Sequence, residues 1–301
     1  MRLSYRELKA LEIWQNYFNG DIENDYKDSQ RILEALIILQ QAVVDSKVKG
    51  PDWKMWVDTL TTKFILHTNS ILNISRGTQL TVQSLGKDLN IIDIPTMHIV
   101  IRAQLECFLM FDFIYIRPNS DDEKEFRFWN WKYDNLLMRG KIPAKSNIIK
   151  IQQKDDLLEI GELRSKIENS HFFKNYSKNQ RKELLARGSS KLFNSWEDLI
   201  AGAKLEKKLF DGLYPILSSY AHTGAHSLMN LKNQKLGYHK NHQNCHLFLF
   251  VSKMILCLYL LRFKELFKSA EIKYNLLPQD TQLEIDIYNK FADRRIVKNI
   301  K

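Results

Sequence analysis

The sequence predicts an all-α protein: a helical bundle with long buried central helices and a more polar helical insertion. Three observations carry this. Prolines and glycines number only six and 11 in 301 residues, too few to punctuate many short strands. Leu, Ile, Lys, Glu and Gln recur, and apolar residues repeat at spacings of three and four, the period of helices with one face in a core. Hydrophobic residues make up 44% of the chain and aromatic residues 11%, which fills a real core and excludes a disordered chain.

Residues 3–18 set Leu3, Leu8, Leu11, Ile13, Trp14, Tyr17 and Phe18 broadly on one side of a helix that Asn19-Gly20 stops. A second helix is expected from Tyr26 to Val48, with Ile32, Leu36, Leu39 and Val43 in its apolar set. The third opens at Pro51 and carries Trp53, Trp56, Val57, Leu60, Phe64, His67 and Ile71 as one stripe, which accounts for its aromatics as core rather than ligand cage. From Ser75 to Ile94 there is no period, so this stretch reads as a connection with one short helical turn.

Pro95 to Arg117 is the central helix, apolar on nearly every side yet holding Arg102 and Glu106. Arg117-Pro118-Asn119-Ser120 stops it, and Ser120 with Asp121, Asp122 and Glu123 starts the next helix, its acids at the positive pole of the dipole. Residues 141–191 are more polar and broken, with helices expected near 150–169 and 178–187; they form the insertion or mobile segment of an otherwise single domain spanning 1–301. A new N-terminus at Asn194 to Glu197 leads helical sequence through Phe210. Leu213–Leu228, Cys245–Phe267 and 280–291 follow as helical stretches, and 292–301 is a loose basic tail.

Lys and Arg exceed Asp and Glu by 45 to 35, a net charge of +10. That excess favours RNA or another polyanion as partner, although the codon bias of an AT-rich genome accounts for it equally. Within 174–191, Lys178, Arg181 and Lys182 are candidate contacts for a phosphate backbone, and a solvated helix face explains them as well. The three cysteines, Cys107, Cys245 and Cys257, lie in or beside apolar runs without metal spacing, which points to a reducing cytoplasm. No apolar signal core opens the chain. Leu247–Leu261 contains Lys253, and the central helix contains Arg102, Glu106 and Asp112; both fall short of about 20 uncharged residues, so no membrane is expected.

The candidate chemistry lies on two helices. Arg102 and Glu106 are one turn apart, and Tyr214, Ser218, His222 and His226 recur every fourth residue, so each set can line one face. Buried charge needs partners, and pairing of these two lines is the expectation. In that arrangement Arg102 binds an anion such as phosphate, His222 moves a proton, Glu106 orients His222, Ser218 joins the site, and Tyr214 and His226 contact substrate. A register-fixing polar network would use the same residues. Five of the eight histidines lie between His222 and His246, but no Glu-x-x-His or paired-Cys motif accompanies them, and no metal or cofactor is expected. Phosphate-binding and dinucleotide-binding glycine motifs are absent from the sequence.

With Arg102-x3-Glu106 on one helix and Tyr214-x3-Ser218-x3-His222 on a later one, the chain resembles a group of uncharacterised bacterial all-helical proteins similar to the HEPN superfamily. The resemblance spans roughly residues 30 to 270. It implies a metal-independent ribonuclease or toxin effector in antiphage defence, and a homodimer or a partner protein of such a system. It also departs from the superfamily, whose Arg and His share one short helical motif; here Arg102 and His222 come from separate helices. A non-catalytic adaptor or sensor is the other class left open, and accessibility of Arg102 and His222 discriminates the two.

Overall fold

The computed structural model describes residues 4–20, 22–47, 50–222, 224–233 and 238–292. Among these are thirteen α-helices and one two-stranded hairpin, so the protein is all-α as expected.

Serine caps set five of the helix starts. α1 (Tyr5–Asn19) opens on a capping box between Ser4 and Glu7 and closes on Gly20 at φ 66°. α2 (Ile22–Asp45) begins ahead of the expected Tyr26, with Glu23 and Asp25 in its first turn, and α3 (Trp53–Ser75) follows. The stretch expected as an aperiodic connection is instead an antiparallel hairpin, β1 (Thr78–Val82) and β2 (Lys87–Ile91), in register from Thr78↔Ile91 to Val82↔Lys87. Its described side chains are mostly exposed, so no buried face imposed the alternation by which a strand is recognised. α4 (Ile94–Phe111) is the central helix, and it runs into a π turn at Asp112–Ile116.

Ser120 caps α5 (Asp121–Gly140) and Ser146 caps α6 (Asn147–Asn169). After a 3-10 turn at His171–Asn175, Ser177 with Gln180 caps α7 (Lys178–Arg187), and Ser195 with Asp198 caps α8 (Trp196–Gly202). The sequence reading carried α8 through to Phe210. It stops at Gly202 because Lys204 takes the left-handed region at φ 57°, and a separate helix, α9 (Lys207–Ala221), starts under the Glu206 cap. α10 (Ala225–Asn233), α11 (Tyr238–Leu266), α12 (Lys268–Asn275) and α13 (Gln279–Ala292) complete the described chain. The expected tail lies outside the described residues beyond Ala292.

The chain divides into two compact units, Met1–Leu109 with Lys204–Lys301, and Met110–Ala203. Segment 141–191 lies wholly within the second. In the first unit α11 is the axis: α2, α3, α12 and α13 all pack on it, which explains why it is apolar all round. Leu249, Ile255, Leu256, Leu258, Tyr259 and Leu260 are fully buried, each such aliphatic side chain contributing about 1.5–3 kcal/mol. Tyr259 stacks on Phe64 of α3 at 4.0 Å and shares a 2.9 Å hydrogen bond with Thr61. By length and composition Cys245–Leu266 is long and apolar enough to cross a membrane, and its most apolar window is 94% buried within the fold. In the second unit α5 packs on α6, the Tyr133 hydroxyl donates to the Leu185 carbonyl at 2.6 Å, and Arg139 pairs with Asp156.

Candidate functional site

Residues 98, 102 and 106 of α4 lie about one helical turn apart and present one face. That face meets α9. His98 stacks on Tyr220 with ring centroids 4.0 Å apart, Arg102 reaches both His222 and Tyr214, and Glu106 reaches Tyr214. Residue numbers rise along α4 as they fall along α9, so the two helices run antiparallel.

The Arg102 guanidinium is shared three ways. Nε donates to Glu106 Oε1 at 2.8 Å, Nη2 donates to the Tyr214 hydroxyl at 3.4 Å, and Nη1 lies 3.2 Å from His222 Nε2. Tyr214 donates in turn to the same Glu106 oxygen at 2.9 Å. Arg102, Glu106 and Tyr214 thus close a ring of hydrogen bonds that fixes the guanidinium, and His222 stands at its outer edge. A guanidinium carries donors only, so a hydrogen bond between the two requires Nε2 to accept through its lone pair.

Partial burial pulls the Arg102 guanidinium down, but the bond and charge of Glu106 outweigh it and hold the group above its ordinary value. Burial, followed by the charge and bond of Glu106, pushes the Tyr214 hydroxyl up to about 12. At neutral pH Tyr214 is therefore a protonated donor. The side chains of Arg102 and Glu106 are 18% and 25% exposed, and His222 is exposed. The buried charges expected from the sequence are in fact half-buried, because α4 turns this edge toward solvent.

The expected contact between Glu106 and His222 is not made. Glu106 Oε1 is taken by Arg102 Nε and by the Tyr214 hydroxyl, and the guanidinium stands between this carboxylate and His222. Ser218 is half-buried on α9 and joins the cluster through its backbone, its carbonyl accepting the His222 N–H at 3.2 Å. The line of four polar residues along one helix does not hold either. His222 is the C-cap of α9 at φ −106°, and Gly224 N–H turns back to the Ser219 carbonyl at 2.8 Å, an approach close enough that a Cβ on Gly224 would stand 3.3 Å from that oxygen. His226 falls on α10, and its side chain lies outside the described residues. Lys178, Arg181 and Lys182 lie on α7 of the second unit; the two lysines are exposed, and the Arg181 guanidinium lies over the Phe173 ring at 5.9 Å.

No protein-family model, curated protein sequence or solved structure matches the chain. The site is accordingly read from its own chemistry.

Two polar groups of the first unit escaped the sequence reading. His98 is 2% exposed, held between Tyr220 and Phe248, and its Nδ1 donates to the Ile94 carbonyl at 2.7 Å. Burial depresses its pKa to about 4, with the backbone bond opposing only in part. The signal was there in His98-x3-Arg102-x3-Glu106, one series on one face. The second is a sealed network: Asp25 of α2 takes His246 and, at 2.9 Å, the Lys253 ammonium, both of α11, and Lys253 also donates to the Tyr288 hydroxyl of α13 at 3.0 Å. Burial lowers Lys253, but Tyr288, Asp25 and Asp28 more than restore it and hold it above its ordinary value. Asp28 carries the network on to Arg31 at 2.8 Å, and Arg31 pairs with Glu284. Among the described residues no group of three or more His, Cys, Asp or Glu side chains is placed to hold a metal ion.

Proposed function

We propose that this chain is a HEPN-like helical protein that cleaves RNA without a metal, as a ribonuclease or toxin effector of a bacterial defence system in the cytoplasm. One observation carries the reading: an imidazole nitrogen 3.2 Å from a braced guanidinium, at an edge open to solvent. A network serving only to fix helix register has no need of that access. A net charge of +10 supports a polyanionic substrate.

In this mechanism an RNA phosphate takes the Arg102 Nη donors now turned to His222 and Tyr214. That exchange releases His222 Nε2, which accepts the proton of the ribose 2′-hydroxyl as O2′ attacks phosphorus. The P–O5′ bond breaks, O5′ leaves with its electron pair and takes a proton from solvent, and the product is a 2′,3′-cyclic phosphate. Arg102 stabilises the charge that builds on the non-bridging oxygens, and Glu106 with Tyr214 keeps the guanidinium aimed.

The test is cleavage of total RNA by wild-type protein, His222→Ala and Arg102→Ala, with and without chelator, each variant checked by circular dichroism and melting. Wild-type cleavage should survive chelation, leave cyclic phosphate ends, and fall by about 10²–10⁴-fold in folded His222→Ala, the usual worth of a general base. An inactive wild-type protein, or a fully active His222→Ala, would overturn the proposal in favour of an adaptor held together by this cluster.

A further inference from the structure

The second unit contains a cavity of about 240 Å³ that the proposed cleavage does not use. Its walls come from the π turn after α4, from α5, from the 3-10 turn and from the loop before α8. Two arginines line it. Arg127 is satisfied by its own unit, Nη1 donating to the Phe113 carbonyl at 2.6 Å and Nη2 to Glu123 at 2.5 Å. Arg117 is different. Its Nε lies 3.1 Å from Asp112 Oδ2, yet Nε and Nη2 are buried without a hydrogen-bond partner.

The fold makes room for this guanidinium. A Cβ on Gly202 would stand 1.6 Å from Arg117 Nη1, so glycine is required for the side chain to lie where it does. Both guanidinium groups lie against the Phe113 ring, at 5.0 and 4.4 Å from its centroid. Burial, opposed by Asp112 and reinforced by Arg127, holds Arg117 below its ordinary value; an added anion would reverse that penalty. Flat apolar walls complete the cavity, from Phe126, Phe172 and Tyr176. Asn175 and Asn194 lie at its edge; Asn194 spends its amide N–H groups on Lys191 and Leu192 carbonyls, which leaves its oxygen to accept.

A guanidinium with a single carboxylate partner and a buried Nη2 left over, aromatic walls and side-chain amides together match a ligand with an anionic end and a flat polar ring. We propose that this cavity binds a nucleoside monophosphate, either free or as the 5′-phosphorylated end of a nucleic acid, with the phosphate on Arg117 and the base among the aromatic rings. None of its residues belongs to the chemistry assigned to Arg102 and His222, and a nucleoside monophosphate has no internucleotide bond for them to cleave.

The experiment is calorimetric titration of the full chain with the four nucleoside 5′-monophosphates, adenosine and inorganic phosphate. Short 2′-O-methyl oligonucleotides with a 5′-phosphate or a 5′-hydroxyl form a further arm, since they lack the hydroxyl needed for cleavage. At least one monophosphate should bind with Kd of about 1 mM or tighter, and more tightly than adenosine or phosphate alone. Arg117→Met should weaken it about tenfold or more, the scale of a lost charge-assisted bond. Asn175→Ala, at an exposed position that cannot threaten folding, should weaken it about threefold. Binding of the 5′-phosphate oligonucleotide tighter than that of its 5′-hydroxyl form, the excess being lost in Arg117→Met, would assign the site to nucleic-acid ends, and equal binding of the two forms beside a bound monophosphate would assign it to free nucleotide. No binding by any monophosphate, or affinity unchanged in both variants, would overturn the proposal.

Discussion

The first unit holds two polar clusters built from the same kinds of residue and placed in opposite environments. Around Asp25, a carboxylate, an imidazole, an ammonium and a phenol are gathered on α2, α11 and α13, and Lys253 and Asp25 are 1% and 3% exposed. Around Arg102, a carboxylate, an imidazole, a guanidinium and a phenol are gathered on α4 and α9, at an edge where His222 is exposed. In the sealed cluster every group is bound on all sides by protein, so no reactant can exchange into it. In the open one, the outermost pair joins two side chains that an incoming phosphate can separate. Residue composition alone does not tell a joint from a site; access does.

That contrast has an energetic form. Replacing Lys253 with Met leaves the Asp25 carboxylate buried without its main counter-charge, a loss of about 3–5 kcal/mol for a broken buried pair. Replacing Arg102 with Met, where both partners reach water, should cost about 1 kcal/mol or less. Urea unfolding of the two variants beside wild type measures the difference. If Arg102→Met proved as costly as Lys253→Met, the Arg102 cluster would be structural too, and the contrast would collapse.

His98 sharpens the comparison from the inner side of the same α4 face. In an unfolded chain its imidazole takes a proton near pH 6.5, whereas in the fold it does so only near 4. Between those values the unfolded state binds the additional proton, so acid favours unfolding. The contribution is full above pH 6.5 and is lost as the pH falls toward 4, on the order of 3 kcal/mol over that window. Unfolding free energies across this range should show a steeper acid loss in wild type than in His98→Phe, which keeps a ring between Tyr220 and Phe248. Parallel slopes would mean that His98 is not held neutral by burial.

How much of this could be read in the chain follows from what sets each feature. α11 was legible because its all-round apolarity states its environment, and Ser120 and Ser195 declare helix starts by local bonds. Arg102, Glu106, Tyr214 and His222 were legible because a period of four is visible in sequence. The hairpin at 78–91 was not, since exposed strands carry no burial pattern. The end of the line at His222 depended on Gly224, whose turn is a backbone event that the side-chain period does not record. Asp25 was hidden more deeply. In sequence it is one of several acids at the start of α2, where the helix dipole already explains it, and only α11 lying across it makes it a buried counter-charge. Lys253 is visible as a charge in an apolar run, but a lone charge does not name the residue it must meet.

The smallest expected effect probes the open cluster most finely. Tyr214→Phe removes one hydroxyl that accepts from Arg102 and donates to Glu106. The loss to stability should be about 1 kcal/mol, the net worth of an ordinary hydrogen bond, because the ring itself remains packed. If the proposed cleavage holds and Tyr214 only aims the guanidinium, the activity should fall modestly, while the pH dependence of what remains does not move. A proton-donating role would read differently: the alkaline limb of the profile would be lost along with the hydroxyl whose pKa stands near 12. Comparing pH–rate profiles of wild type and Tyr214→Phe separates the two. An unshifted profile with a small uniform drop makes Tyr214 a positioning residue, and it also shows that the ring of bonds behind Arg102 exists to hold a charge in place rather than to relay a proton.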